Sequence, residues 1–490
     1  MGCVWSTPAP DDPPSPRPAP RGAAKEEAVK QQADDVGRSR FIMDNPGDVH
    51  EVYDMEKRRI GEGAVRAINK ETGLLVSIRC LPKSEQKQVA VMKLMDHPNI
   101  IKLYETYQDS RNMYLVFEYV AGGALFDRII ETGQLTEAQA AGIMKQIIQA
   151  VFYMHEHRVC HGDLGPESFH FLTRDPIPEN VLKLVDFGQS CEFEPGQKFT
   201  TRTGQTIYVA PEVSEVRNDS AIDLWACGII MHSLLCGYQP FTGGRDHVIR
   251  EKVRIGNFHF DATHWKDVSK DAQHLVRQLL KPDPHSRFTA EQALNHDWIA
   301  RQAPRVRDVP LPPSLLDNLR TFQKMNVLKK AALHVIAGKL NDENMRKLRE
   351  IFMALDARGD GLLTVTEIKE GLQRARMDDV AADVDFLKED LDHGGVVDYT
   401  EFLAAAVEKH TYLQEDLCRA AFRVFDRDGD GKISTDELAM VLDTENIPST
   451  TAEHVTELMD EIDLHHKGSI DFCDFMHMMG GGDSGARSSS

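Results

Sequence analysis

The sequence predicts an α+β chain, a bilobal unit of strands and helices followed by an all-α unit of two paired helix-loop-helix hands. Three observations carry that prediction. From Tyr53 the chain becomes periodic, and Val76–Arg79 and Met113–Phe117 read as strands. Two acid-bearing loops, His161–Ser168 and Asp186–Gly188, follow at a fixed spacing. Beyond residue 350 four acidic 12-residue windows recur, each after an apolar helix.

At 490 residues the chain has material for about three domains with sizeable cores. A soluble chain is expected, because no run of about 18 apolar residues occurs and no secretory signal peptide opens it. Its 8 cysteines show no C-x-x-C pair and read as reduced intracellular thiols. The net charge of -20 is local, since residues 341–480 hold 14 Lys+Arg against 33 Asp+Glu. Acid concentrated in one segment points to cation binding, and no nucleic-acid partner is expected. Residues 1–45 form a Pro-rich N-terminus that reads as disordered. Its opening Met-Gly-Cys-Val-Trp-Ser fits the N-myristoylation pattern with Gly2 as acceptor, and Cys3 offers a palmitoylation site beside it. One myristoyl chain binds a membrane only marginally, with K on the order of 10⁴ M⁻¹, so the second acyl chain matters. The expectation is a cytoplasmic protein held peripherally at a membrane by an N-terminal lipid anchor.

In the bilobal unit, residues 46–300, the stretch His161, Gly162, Asp163, Leu164, Gly165, Pro166, Glu167, Ser168 and the later Asp186-Phe187-Gly188 resemble the catalytic and metal loops of a protein kinase. The resemblance places Asp163 as catalytic base and Asp186 on Mg²⁺. Gly162 and Gly165 stand for the family's Arg and Lys, and Ser168 for its second metal-binding Asn. In chain order, Gly61 and Gly63 open a glycine-rich phosphate loop whose third glycine is missing, with Arg66 nearby. That loop is about four residues short of the usual hairpin. Arg79 replaces the phosphate-pairing lysine, keeping the charge on a wider planar head. Gln88 stands where the partner glutamate of that lysine is expected, so the usual ion pair cannot form. Glu118-Tyr119-Val120 reads as the hinge, with Phe117 as gatekeeper and Ala124 at a ribose-binding Glu position. The large-lobe signatures Ala210-Pro211-Glu212, Asp223–Gly228 and Arg287 are intact, with Glu212 and Arg287 the expected ion pair.

Residues 301–340 carry 8 basic against 2 acidic side chains. Leu315, Leu319, Phe322, Met325, Leu328, Ala332, Val335 and Ile336 recur there at helical spacing, predicting a basic amphipathic helix. Such a helix suits the hydrophobic groove of an acidic Ca²⁺ sensor.

In residues 341–480, Asp426–Glu437 matches an EF-hand Ca²⁺ loop throughout, with Asp426, Asp428 and Asp430, the Lys432 carbonyl and Glu437 as ligands. Asp390–Glu401 keeps Asp390, Asp392, Asp398 and Glu401, but Gly394 offers no side chain, predicting weaker binding. Asp356–Glu367 keeps Asp356, Asp360 and Glu367, while Arg358 puts a cation where an acid belongs. In Asp463–Asp474, His465, Lys467 and the short Asp474 predict a hand that pairs with the third and takes no Ca²⁺. Residues 481–490 read as a flexible tail.

A kinase-like unit, a junction helix and four EF-hands behind an acylatable N-terminus resemble the calcium-dependent protein kinase family over about residues 50 to 480. The stretch Leu315–Leu340 is especially similar to that family's junction. The resemblance implies an autoinhibitory junction helix that Ca²⁺-loaded hands grip, freeing Ser/Thr phosphorylation from ATP with Mg²⁺. The departures at Arg79, Gln88, Gly165 and Ser168 favour a degenerate, inactive kinase domain (a pseudokinase) that acts in signalling as a scaffold or regulator. The alternative is a weak Ca²⁺-regulated Ser/Thr kinase using Asp163 and Asp186 with Arg79, or with a substitute lysine such as Lys70 or Lys83. A plain Ca²⁺ buffer is disfavoured, because a buffer needs no target helix. Ca²⁺ is the expected cofactor, the junction helix the expected intramolecular partner, and a monomer the expected state.

Overall fold

The computed structural model describes residues 42–45, 47–60, 63–133, 135–194, 208–212, 220–243, 245–303, 311–312, 314–340, 342–377, 396–444 and 452–480. Gly2, Cys3, Gly61, Asp390, Asp392 and Gly394 lie outside these. No described helix is long and apolar enough to cross a membrane.

The small lobe is a six-stranded sheet of β1 (Met43–Asn45), β2 (Tyr53–Ile60), β3 (Ala64–Asn69), β4 (Leu75–Pro82), β5 (Leu103–Gln108) and β6 (Asn112–Glu118). The strand order is β1-β5-β6-β4-β3-β2, and only β1 runs parallel to its neighbour. Ile60 pairs directly with Ala64, so the β2–β3 hairpin is as short as its sequence spacing predicts. The helix Gln86–Lys93 buries Gln88, Val89, Val91 and Met92.

The large lobe is built on two helices. Glu137–Glu156 starts at a capping box, with Thr136 and Gln139 satisfying each other's backbone N–H. Ala221–Cys236 is buried on nearly every side, as a helix apolar all round must be. One core runs from Leu81 of the small lobe through both helices to Ala303.

The hands pair through short antiparallel ladders, Leu362–Thr364 with Val396–Asp398 and Lys432–Ser434 with Ser469–Asp471. The third and fourth hands are therefore partners. The junction departs from the single helix that its periodicity predicts. It forms two, Leu315–Gln323 and Val327–Ala337, because the Asn326 side chain accepts from Lys329 N at 2.9 Å and starts a new helix as its N-cap. Both helices share one core with the hands, where Leu315, Phe322, Leu328 and Ile336 meet Phe402, Phe422 and Phe475. Lys329 Nζ donates to the carbonyls of Met478 and Met479, each at 2.9 Å. The junction thus satisfies carbonyls that the last helix, Phe472–Gly480, leaves open at its C-terminus.

Candidate functional site

The catalytic loop hangs from one buried carboxylate. Asp223 accepts from His161 N at 2.9 Å, Gly162 N at 3.0 Å and His155 Nε2 at 2.9 Å. Burial pushes its carboxyl up, but His155 and His161 outweigh burial and hold it below the ordinary value. Gly162 has φ +81°, a left-handed conformation that glycine takes without strain. His161 Nε2 is hydrogen-bonded to the Asp186 carbonyl, joining the catalytic loop to the metal loop. Asp163 N donates to His161 Nδ1 at 3.4 Å. Burial raises its carboxyl, with Asp186 and Glu167 adding and His161 opposing. Farther out, Arg287 clasps Glu212 through two buried bonds of 2.6 and 2.9 Å.

The substituted positions show what the departures do. Arg79 Nη1 lies 3.3 Å from Asp186 Oδ1, so the guanidinium pairs directly with the acid at the Mg²⁺ position. Gln88 is 7% exposed, and neither its Oε1 nor its Nε2 has a hydrogen-bond partner among the described residues. Leaving a buried amide unsatisfied costs about 1–3 kcal/mol per group. A Cβ on Gly165 would fall 2.8 Å from Oε1 and 3.0 Å from Oε2 of Glu167. The start of a lysine side chain would therefore meet a carboxylate. Ser168 Oγ accepts from Gly165 N at 3.2 Å and donates to the Asp163 carbonyl at 3.5 Å, so this short, buried hydroxyl closes the loop on itself. Together the loop and its surroundings retain two acids and one cation, and bring a third acid close.

The Ca²⁺ loops differ in what their acids meet. In the third hand, oxygens of Asp426, Asp428 and Asp430 lie within 4.8 Å of one another. Glu437 is held opposite them by Arg427 N at 2.7 Å and Ser434 N at 2.8 Å. Asp426 Oδ1 is buried without a partner among the described residues, an acceptor that a cation would satisfy. Burial pushes that carboxyl up, and Glu437 and Asp430 add to the shift. This all-oxygen donor set fits a hard cation such as Ca²⁺. Asp356, Asp360 and Glu367 of the first hand come equally close and are all buried, yet Arg358 Nε already lies 3.4 Å from Asp360 Oδ2. In the second hand, Asp398 Oδ1 caps its helix by accepting from Glu401 N at 2.7 Å. In the fourth, the Lys467 ammonium contacts Asp471 and lies 3.2 Å from Asp474 Oδ2, so the acid that closes this loop is already paired with a cation.

A protein kinase domain matches residues 55–299, and an EF-hand domain pair matches 345–407 and again 414–480. Calcium-dependent protein kinase 5 of Plasmodium falciparum (isolate 3D7) is 36% identical over 457 residues, covering 90% of this chain and 80% of its own length. Calcium-dependent protein kinase 11 of Oryza sativa subsp. japonica is 38% identical over 399 residues, covering 80% and 68% respectively. The chain belongs to the calcium-dependent protein kinase family. Ca²⁺ is the cofactor of its EF-hand pairs, and ATP with Mg²⁺ is the pair typical of its kinase domain.

In this calcium-dependent protein kinase the EF-hand region is docked on both lobes. The first hand's loop presses on the helix Glu137–Glu156, where a Cβ at Gly359 would fall 2.2 Å from Gln149 Nε2. A Cβ at Gly361 would fall 2.8 Å from both His97 Cδ2 and Tyr153 Cδ2. From the second hand, Thr400 N donates to Asp96 Oδ2 at 2.8 Å and Thr400 Oγ1 to Asp96 Oδ1 at 2.5 Å. Lys102 Nζ completes that carboxylate at 2.8 Å. Arg349, buried on the first hand's leading helix, donates to the Tyr399 hydroxyl at 3.2 Å; burial pushes its guanidinium down, but Tyr399 and the hinge acid Glu118 outweigh burial and hold it above its ordinary value. Glu118 in turn lies 2.6 Å from Lys183 Nζ. Burial pushes the Lys183 ammonium down to about 8, against the pull of Glu118. Arg423 pairs with Glu71 of the small lobe, and Arg346 with Asp175 of the large lobe at 3.1 Å. Sequence reasoning did not mark Lys102, Arg349 or Thr400, since each reads as an ordinary helix or strand residue. Gly359 and Gly361 gave no signal either, because the third hand carries positive-φ glycines at the same loop positions, Gly429 and Gly431, with nothing packed on them.

Proposed function

We propose that this family member is a Ca²⁺ sensor whose output is binding or scaffolding, carried on a kinase domain that has lost fast phosphoryl transfer. The observation that carries this reading is the Glu167 carboxylate at the space beside Gly165, two residues from Asp163. Phosphoryl transfer spreads negative charge over the moving group, and catalysis rests on cations aimed at it. Here Arg79 is engaged by Asp186, Gln88 supplies no charge, and Ser168 is turned into its own loop. Asp186 is the residue that would hold Mg²⁺, which would neutralise charge at the phosphates. Each lost electrostatic contact costs about 10² to 10³ in rate, not additively.

On the sensor side, the third hand is the tightest Ca²⁺ site and the second a weaker one. The first is opposed by Arg358, and the fourth by Lys467. Occupancy changes the grip of the hands on the junction helices. The same region spans both lobes beside the hinge, so Ca²⁺ and the lobe arrangement are energetically coupled. Acylation at Gly2 and Cys3 places this switch at a membrane.

A slow Ca²⁺-regulated Ser/Thr kinase is the second reading, favoured by Asp163 and Asp186 standing on the Asp223 scaffold. Mg-ATP binding and autophosphorylation, each with and without Ca²⁺, separate the two. Near-background phosphorylation, equal in the natural protein and in Asp163→Asn, is expected. Robust turnover that Asp163→Asn abolishes would refute the scaffold reading and establish the second.

A further inference from the structure

We propose that Cys160 and Cys191 close a reversible disulfide, a modification site that ties the strand leading into the catalytic loop to the segment just after Asp186–Gly188. The two are direct partners in the antiparallel ladder of Val159–Cys160 with Cys191–Glu192. Opposed residues in such a ladder put their side chains on the same face, with Cα atoms about 4.5–5.5 Å apart. That lies inside the span of about 4.4–6.8 Å that disulfides bridge. The register is held by backbone, since Phe193 N donates to the Arg158 carbonyl at 2.8 Å and extends the same pairing. Both residues are free thiols, Cys160 buried and Cys191 partly open to solvent, so a reagent reaches Cys191 first.

The position gives the bond a consequence. Cys160 immediately precedes His161, whose ring holds the Asp186 carbonyl. Its thiol, raised above its ordinary value by burial, also feels the charge of Asp223, the carboxylate from which the loop hangs, which raises it further. Closure anchors the Cys191 segment to the catalytic loop by a covalent link.

The oxidant is a low-molecular-weight disulfide. Cys191 as thiolate attacks one of its sulfurs and expels one thiolate. Cys160 as thiolate then attacks Cys191 Sγ and expels the second. One S–S bond forms in the protein and one breaks in the reagent; two electrons pass to the reagent, and the two protons leave the protein and end on the released thiols. Burial and Asp223 raise both thiols above their ordinary value, which makes the exchange slow at neutral pH and faster in mild alkali. Cys80 and Cys473 provide the contrast. Both are exposed, and neither faces a second cysteine across a ladder among the described residues, so they stop at mixed disulfides.

The test takes the reduced full chain through glutathione buffers of rising disulfide fraction at mildly alkaline pH. Free thiols are trapped by alkylation in denaturant, and the peptides are mapped by mass spectrometry without reduction. Expected is a linked peptide pair joining Cys160 to Cys191 that grows to the majority of the pool and disappears with dithiothreitol. Amide exchange across residues 158–163 and 189–194 slows in the oxidised form. In Cys191→Ser, with Ca²⁺ binding unchanged as the check on folding, Cys160 stays alkylatable at every ratio. The proposal is overturned if both cysteines remain free throughout, if Cys191 carries glutathione while Cys160 stays free, or if Cys160 links equally to other cysteines.

Discussion

Asp96→Asn should loosen the EF-hand region from the kinase domain. The Asp96 carboxylate is 5% exposed and takes bonds from Lys102 Nζ at 2.8 Å, Thr400 Oγ1 at 2.5 Å and Thr400 N at 2.8 Å. Burial alone would push this carboxyl up, but Lys102 and the Thr400 donors outweigh burial and bring it from 3.8 down to about 2. At about 1.4 kcal/mol per pH unit, the ionised form stabilises the folded protein by about 2.5 kcal/mol, roughly 60-fold in an equilibrium, shared between Lys102 of the same domain and Thr400 across the interface. Because the folded value is the depressed one, this contribution is complete above the unfolded value near 3.8 and is lost as pH falls through about 2. Asparagine keeps the volume, removes the charge that faces Lys102, and turns an N–H toward donors. Thr400→Val, which removes only the hydroxyl, should cost about 1 kcal/mol. The assay is hydrogen exchange across Val396–Ala406, with the Lys432–Ser434 ladder as internal control. Asp96→Asn should speed exchange in the first by tens of fold and leave the second unchanged. Equal exchange in variant and natural protein at both segments would show that this carboxylate does not hold the interface.

Glu437→Gln removes the bidentate ligand of the third hand and should abolish the tightest Ca²⁺ transition in a calorimetric titration, expected at about 10⁻⁷ to 10⁻⁵ M in the natural protein. An unchanged titration would place that site elsewhere. Lys329→Met leaves the Met478 and Met479 carbonyls without their donor and should lower the stability of the EF-hand region by about 1–3 kcal/mol, read by thermal unfolding. Arg79→Lys, Gln88→Glu, Gly165→Lys and Ser168→Asn combined should raise Ca²⁺-dependent phosphorylation by about 10² or more. No gain in a folded variant would mean that the missing charges are not what limits transfer. Gly2→Ala should move the protein from membrane to soluble fractions and Cys3→Ser should do so in part; fractionation unchanged in both variants rules out the lipid anchor.

The sequence by itself determined the two-lobed α+β unit, the four hands and the acids at Asp163, Asp186 and Asp426–Glu437. Each is written in contiguous residues, because strand alternation, helical spacing and the ligand spacing of a Ca²⁺ loop are local properties of the chain. The short glycine loop was legible for the same reason, its length being a count between Gly61 and Thr72-Gly73. The division of the junction at Asn326 was present in the letters but concealed, since an N-cap asparagine and a mid-helix asparagine look alike until the backbone is seen. Tertiary structure alone decided the rest. It stranded the Gln88 amide and paired Asp96 with Thr400 across a separation of 304 residues. Such contacts depend on which surfaces meet once separate cores have formed, and no periodicity along the chain encodes that meeting.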